Sequence, residues 1–340
     1  MTDFERLPDL AARALGGAVV AANDDFFADR AALVQPYPVR EHPEFGYRGK
    51  VYDGWETRSR REPGVDHAIV RLGIPGVVRG VVIDTAYFRG NYPPEISVDA
   101  TACEDHPSPA ELVAADWTPL VPRTAAAGDT VNPYDVDDPH RFTHVRLTMH
   151  PDGGIARFRV HGEPVPDPRL LTGTFDVAAQ EYGGAVLDCS NLFYSAPANL
   201  LLPGPARTMG EGWETARRRD DGNDWVLVHL AGETRLRDIV FDTSHFLGNA
   251  PGAVEITDGA GGPVVPRRAV QPDTPHRFRI ARDAPPVTQL RVDIHPDGGF
   301  ARLRVHGDLT TAAREAAARR WWDALPSSHR AAVSDDGFAR

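Results

Sequence analysis

Cysteine is almost missing from this chain. There are two, Cys103 and Cys189, in 340 residues, with no CxxC and no spacing that a zinc site uses. That excludes a disulfide-stapled scaffold and a structural zinc module. Long apolar runs are missing too: nowhere do 18 apolar residues follow one another, so the sequence offers no membrane-spanning helix. The opening "MTDFERLPDL" is acidic and lacks the apolar heart of a signal peptide. A cytoplasmic protein with no membrane partner is expected. Positive charge is in deficit, with a net charge of −11 and basic residues gathered only in short arginine clusters. A nucleic-acid partner is not expected of such a balance.

What is present points to folded domains. The hydrophobic fraction is 41% and the charged fraction 25%, both ordinary for a globular protein, and the length suits two domains. Glycine and proline number 31 and 30, scattered between short apolar runs. That is the texture of many short strands joined by turns.

The chain also says most things twice. "GWETRSRREPGVDHAIVRLG" (54–73) returns as "GWETARRRDDGNDWVLVHLA" 158 residues later. "GGAVVAANDDFFADRAALVQP" (16–36) matches "GGAVLDCSNLFYSAPANLLLP" (183–203), and "VVIDTAYFRGNYP" (81–93) matches "IVFDTSHFLGNAP" (239–251). "VRLTMHPDGGIARFRVHG" (145–162) matches "LRVDIHPDGGFARLRVHG" (290–307). The offset falls from 167 to 158 to 145, so the first copy is longer in two places. One is "CEDHPSPAELVAADW" (103–117), expected as a surface loop. The expected division is a first repeat over 1–165, a second over 166–309, a C-terminal helix over 310–325 and a tail over 326–340. The Pro-rich "EPVPDPRLL" (163–171) separates the copies.

Within each copy the apolar period is two. Val145, Leu147 and Met149 face one way, with Arg146, Thr148 and His150 opposite; Leu290, Val292 and Ile294 repeat this against Arg291, Asp293 and His295. In "ARFRVHG", Phe158 and Val160 are expected inward, with Arg157, Arg159 and His161 outward. The intervening "PDGG" reads as the turn of a hairpin. Many such strands without helices between them imply an all-β fold: two tandem antiparallel β-sandwiches of jelly-roll, galactose-binding-like type, plus one C-terminal helix.

Several repeated residues carry chemistry. Trp55 and Trp213 read as core plugs. Glu56 and Glu214 follow them, one particular carboxylate placed twice. Arg60 and Arg61, matched by Arg218 and Arg219, are either a solvated loop or a clamp for an anion, since the guanidinium fork meets a carboxylate with two parallel bonds. Asp84 and Asp242 end apolar strands and open loops; Tyr87 of the first copy becomes His245 in the second, three residues from Asp242. Asn91 and Asn249 follow glycines and are explained by a left-handed turn or by substrate contact. His150 and His295 either cap a turn or move protons. His161 and His306 read as structural. His150, His161 and Asp84 could converge on a metal, but no ligand spacing supports it. The sequence requires no cofactor and leaves a divalent metal open.

Taken together, "GWETRSRR" and "GWETARRR", "IDTAYFRGN" and "FDTSHFLGN", and the two "HPDGG" strands resemble the allantoicase family over roughly residues 5–325. The resemblance implies two jelly-roll domains, a homo-oligomer, and a hydrolase acting on linear C–N bonds that converts allantoate, a small anionic ureide, to (S)-ureidoglycolate and urea. Urea is a poor leaving group as its anion, so a general acid, a base and an anion clamp are the minimum equipment. The clamp would fall to Arg60 and Arg61 or Arg218 and Arg219. Asp242 with His245, or Glu214, would move protons, with Asp84 and Glu56 as first-copy counterparts. Asp242→Asn should then lower turnover by about 10²–10⁴-fold. The rival reading is a non-catalytic carbohydrate-binding jelly roll, and a third is an oligomerising scaffold.

Overall fold

The computed structural model describes residues 3–335. The chain divides into two compact units, one of residues 1–165 with 321–340 and one of residues 166–320.

In the first unit a single long strand, Asp66–Asp84, organises everything. Its first half is flanked by Ala18–Ala22 and by Arg141–His150, which pairs on with Glu95–Thr101 and then Thr118–Ala125. Its second half is flanked by Arg157–Pro164 and Val131–Asp135. Every pairing is antiparallel. The pairing with Arg141–His150 shifts register between Arg71 and Gly76, where the strand passes from one layer of the sandwich to the other. Glycine is required at that passage: a Cβ on Gly73 would lie 2.4 Å from the Leu15 carbonyl oxygen, and one on Gly76 2.3 Å from that of Glu163.

This arrangement corrects the hairpin expected at "PDGG". The strands Arg141–His150 and Arg157–Pro164 do not pair with each other; both pair with Asp66–Asp84, on different stretches of it. Between them Gly154–Ile155 pairs with Trp55–Glu56. The period-two pattern holds for Val145, Leu147, Met149, Phe158 and Val160, all fully buried. Arg157 departs from it at 4% exposure, because its guanidinium is drawn into an ion pair with Asp53 at 2.8 Å and a bond to the Asp53 carbonyl. Arg302 is likewise buried, donating to the carbonyls of Gly204 and Glu211.

The second unit repeats the plan around Asp224–Asp242, flanked by Ala185–Cys189 and Val287–His295 on its first half, and by Arg302–Leu309 and Pro275–Arg279 on its second. Its core gathers Trp213, Val226, Ile239, Val254, Val292 and Phe300.

The 103–117 stretch, expected as a plain loop, contains a short helix, Pro109–Ala114. Ser108 and Glu111 cap it reciprocally, a signature that the Ser-Pro start partly conceals. The C-terminal helix runs Thr311–Ala324, and a second, Ser327–Asp335, forms where a tail was expected. Residues 336–340 of that expected tail lie outside the described residues. Trp321, Ala324, Leu325 and Val333 pack with Val77 and Val165, so the last helical turns complete the first unit's core. Among the described residues no helix is long and apolar enough to cross a membrane.

Candidate functional site

The first unit's site begins at a two-residue strand. Successive strand residues face opposite ways, so in Trp55–Glu56 the indole buries and the carboxyl turns outward. Trp55 is fully enclosed and donates its Nε1–H to the Asp24 carbonyl at 2.8 Å. Glu56 exchanges backbone bonds with Ala28 at 3.2 and 3.3 Å. Asp24 in turn accepts from the Phe26 and Arg58 backbone N–H groups and from Arg58 Nε. Burial pushes the Asp24 carboxyl up, but these donors outweigh it and hold it below the usual range.

Glu56 is half-buried, and Asn91 Nδ2 donates to its Oε1 at 2.6 Å. The two motifs "GWET" and "GN" thus meet through one hydrogen bond. Burial raises the Glu56 carboxyl above the ordinary glutamate value, with the Asn91 bond pulling the other way. A pocket of ≈ 350 Å³ opens here, lined by Phe27, Arg48, Lys50, Tyr52, Glu56 and Asn91 with Gly90. Arg48 and Lys50 come from the excursion 37–53, whose strands Phe45–Gly46 and Gly49–Lys50 pair. Lys50 is the chain's single lysine. Arg48 lies over the Phe26 ring at 4.6 Å, and Lys50 sits 5.3 Å above Tyr52 and 3.8 Å from Glu41.

The arginine motif divides into tied and free members. Arg60 donates to Asp66 Oδ1 at 2.6 Å, and its backbone N–H is held by Asp152 of "HPDGG". Arg218 repeats both contacts with Asp224 and Asp297. These two arginines are committed within the fold. Arg61 and Arg219 are exposed, and neither has a side-chain partner among the described residues. A second pocket, ≈ 920 Å³ and open to solvent, adjoins the first at Phe27 and is lined by Arg58, Arg60, Arg61, Asn23, Asp24 and Asp66 among others.

The loop motif "DT" is mostly held by its own turn. Asp84 Oδ1 accepts from the Ala86 N–H; Asp242 Oδ1 accepts from the Ser244 N–H and hydroxyl at 2.8 and 2.6 Å. Burial raises Asp84, opposed by the Ala86 N–H and by Arg157 and Arg159. Asp242 and His245 are not bonded to one another: His245 Nε2 meets the Ala206 carbonyl at 2.9 Å. The left-handed residues of these loops are Tyr87 and His245, at φ 67° and 72°, not the Gly-Asn pairs. Their N–H groups are pinned by Asp129 and Asp273. Asn91 and Asn249 are therefore available to hold the glutamates.

His150 Nε2 lies 3.0 Å from Ser97 Oγ on the neighbouring strand. Burial and then Arg123 lower its pKa; burial and then Arg267 lower that of His295, whose Nε2 is 3.8 Å from Glu255. His161 Nδ1 meets the Leu7 carbonyl, and His306 Nδ1 meets Asp238. His150, His161 and Asp84 thus serve separate neighbours. Among the described residues no group of three or more His, Cys, Asp or Glu could hold a metal ion.

The second unit copies the frame without the cations. Glu214 accepts from Asn249 at 2.6 Å, and Trp213 donates to the Asn191 carbonyl at 3.0 Å. Ala216 stands where the first copy has Arg58, and no counterpart of the Arg48–Lys50 excursion exists. Arg48, Lys50, Tyr52, Asn23 and Asp24 escaped the sequence reading because it followed identity between copies; Asp66 was passed over although it recurs as Asp224. The lone lysine was the available signal for the excursion.

Fold and site together define a tandem jelly-roll protein with a small cationic pocket built around one half-buried carboxyl. Comparison makes this particular. The family model described as the allantoicase repeat matches residues 8–165 and 175–310. A probable allantoicase of Nocardia farcinica (strain IFM 10152) is 55% identical over 318 residues, 90% of this chain and 95% of the relative. One of Streptomyces coelicolor is 52% identical over 336 residues, 92% and 89% of the two chains. The crystal structure of allantoicase from Saccharomyces cerevisiae superposes with a TM-score of 0.78 at 33% identity, covering 88% of this chain and 92% of that one. The chain belongs to the allantoicase family.

Proposed function

We propose that this chain hydrolyses allantoate to (S)-ureidoglycolate and urea, and that the reaction runs in the first unit at Glu56. Family membership supports the activity. One observation carries the placement: a half-buried carboxyl with a raised pKa shares a small pocket with Arg48 and the only lysine, Lys50.

The cations suit the substrate carboxylate. Protonated Glu56 gives its proton to the leaving ureido nitrogen as the C–N bond breaks, and the lone pair of the other ureido nitrogen forms the C=N bond of an acyliminium. Water adds to that carbon and returns its proton to Glu56. Atoms and charge balance, with urea and ureidoglycolate released and Glu56 restored. A raised carboxyl pKa favours the donor role near neutrality. Asn91 orients Glu56. In this assignment Asp84 and Asp242 serve their turns, and Arg60 and Arg218 serve Asp66 and Asp224.

The reading includes a cytoplasmic location, in keeping with the free thiols of Cys103 and Cys189. It also includes a homo-oligomer, supported by large side chains left exposed, Phe45 and Tyr47 on the excursion and Phe193 and Tyr194 in the second unit. Purified protein incubated with allantoate, with and without added divalent ions, should release urea and ureidoglycolate in equal amounts. No urea under any of these conditions would overturn the activity. Light scattering tests the oligomer.

A further inference from the structure

The two copies of the frame differ in what they present to solvent around the glutamate. In the first unit Asp25, Arg58 and Arg89 are charged, and they pair with Arg30, Asp24 and Asp129. The matched positions of the second copy are Leu192, Ala216 and Leu247, and both leucines are largely exposed. Phe26 and Phe27 are each 41% exposed, with Arg48 of the excursion lying over the Phe26 ring and bonding the Phe26 carbonyl. Their counterparts Phe193 and Tyr194 are 63% and 66% exposed. Met209 adds its thioether beside the Asn249 that holds Glu214. Across the covering segment the offset between copies falls from 167 to 158, so the second copy is nine residues shorter there. A frame that has exchanged surface charges for large exposed apolar groups is one that a protein contact covers.

The excursion of the first unit has the converse property. From Glu41 to Lys50 none of its side chains is buried, and Tyr47 is 92% exposed with Phe45 exposed beside it. Its ladder consists of two pairs, Phe45 with Lys50 and Gly46 with Gly49, and a two-stranded hairpin by itself is marginal in water. Yet this segment brings Arg48 and Lys50 to the Glu56 pocket. Each chain therefore has one apolar tip without a seat and one apolar seat without a cover. The same segment already covers the homologous frame in the first unit, so tip and seat match in chemistry. Their equal number in every chain makes a second copy the fitting occupant.

We propose that the excursion tip, Phe45 and Tyr47, docks on the second unit of another copy of this chain, against Leu192, Phe193, Tyr194, Met209 and Leu247. The contact fixes Arg48 and Lys50 at the Glu56 pocket, so the pocket is complete only in the assembly. That consequence rests on the reading that the reaction runs at Glu56. The second unit then acts as a platform for a neighbour's site. In a closed assembly each tip and each seat is used once.

Leu192→Asp and Leu247→Arg place the first copy's own residues at exposed positions, and circular dichroism checks that the fold is kept. Sedimentation velocity should show the wild type assembled at micromolar concentration, with association about tenfold or more weaker in both variants and in Tyr47→Asp. Hydrogen exchange of residues 45–50 should quicken about tenfold or more in the two leucine variants, although those substitutions lie in the other unit. Urea release per chain should fall as the assembly dissociates. A monomeric wild type, or leucine variants that assemble as the wild type does, would overturn the contact. Assembly lost in the leucine variants and kept in Tyr47→Asp would mean that the apolar seats meet each other, which also overturns it. Unchanged exchange in dissociated variants would reject the fixing of the excursion. Should the assembled wild type release no urea, the catalytic reading falls by itself, and mass and exchange still decide the contact.

Discussion

At the scale of single residues, the site turns on how Glu56 is held. Burial raises its carboxyl, and the Asn91 bond opposes that rise. Asn91→Ala removes that opposing hydrogen bond, so the Glu56 pKa should climb further. For a proton donor the alkaline limb of the kcat profile then moves to higher pH, and a movement to lower pH would contradict the donor role. The same shift has a stability sign. A carboxyl raised in the folded state favours folding fully below its unfolded pKa, and that contribution is lost as pH rises through the folded value. The variant should therefore extend this contribution to higher pH, which melting temperatures across the acid range would show.

Lys50 gives a second check at this scale, because it is the only lysine side chain in the protein. An amine-selective acylating reagent should therefore modify one internal position besides the N-terminus. If Lys50 faces the substrate carboxylate, saturating allantoate should slow that modification about tenfold or more, by occupying the ammonium with an ion pair. Mass spectrometry of the peptide containing Lys50 reads the rate. Unchanged labelling would remove Lys50 from the binding pocket.

At the scale of elements, much of what the two copies share turns out to be joinery. Gly153 of "HPDGG" takes the Thr57 N–H of "GWET" on its carbonyl at 3.0 Å, and Gly298 does the same for Thr215 at 2.9 Å. Asp152 and Asp297 hold the backbone of Arg60 and Arg218. Thr85 bonds the carbonyls of Ala127 and Thr130 and accepts from the Thr130 N–H; Thr243 does this with Gln271 and Thr274. Thr85→Val removes these bonds and leaves the Thr130 N–H without its acceptor, while Asn132 Nδ2 still reaches both carbonyls; it should cost about 1–3 kcal/mol. Chemical denaturation measures this, and a loss of turnover beyond the unfolded fraction would speak against a purely architectural role.

The same joinery explains what could be read beforehand. The sandwich, its inward faces and the tryptophan plugs were legible because period-two burial is local in sequence. The Glu–Asn bond was hidden because its halves lie 35 residues apart and each motif has a local explanation. Arg157 was misplaced outward because alternation cannot register a partner such as Asp53, 104 residues away. Identity between copies selected what the fold needs, and so passed over the excursion that only one copy has.

At the scale of the whole molecule, the duplication is unequal where it matters for chemistry. Both units have the enclosed tryptophan, the glutamate and its asparagine. Only the first has Arg48, Lys50 and Arg58 around them; in the second, Met209 Sδ lies 3.0 Å from Asn249 Nδ2 and Ala216 replaces Arg58. An anionic substrate should therefore distinguish two sites that share one frame. Glu56→Gln is expected to lower turnover by about 10²–10⁴-fold, the usual contribution of a positioned proton carrier. Glu214→Gln, an equally small change in the other copy, should leave kcat within about threefold. Urea release by the two purified variants, each checked for an unaltered melting temperature, compares the copies directly. Equal losses would mean that both units catalyse and that the excursion is not what qualifies the first; a loss confined to Glu214→Gln would move the chemistry to the unit without the lysine.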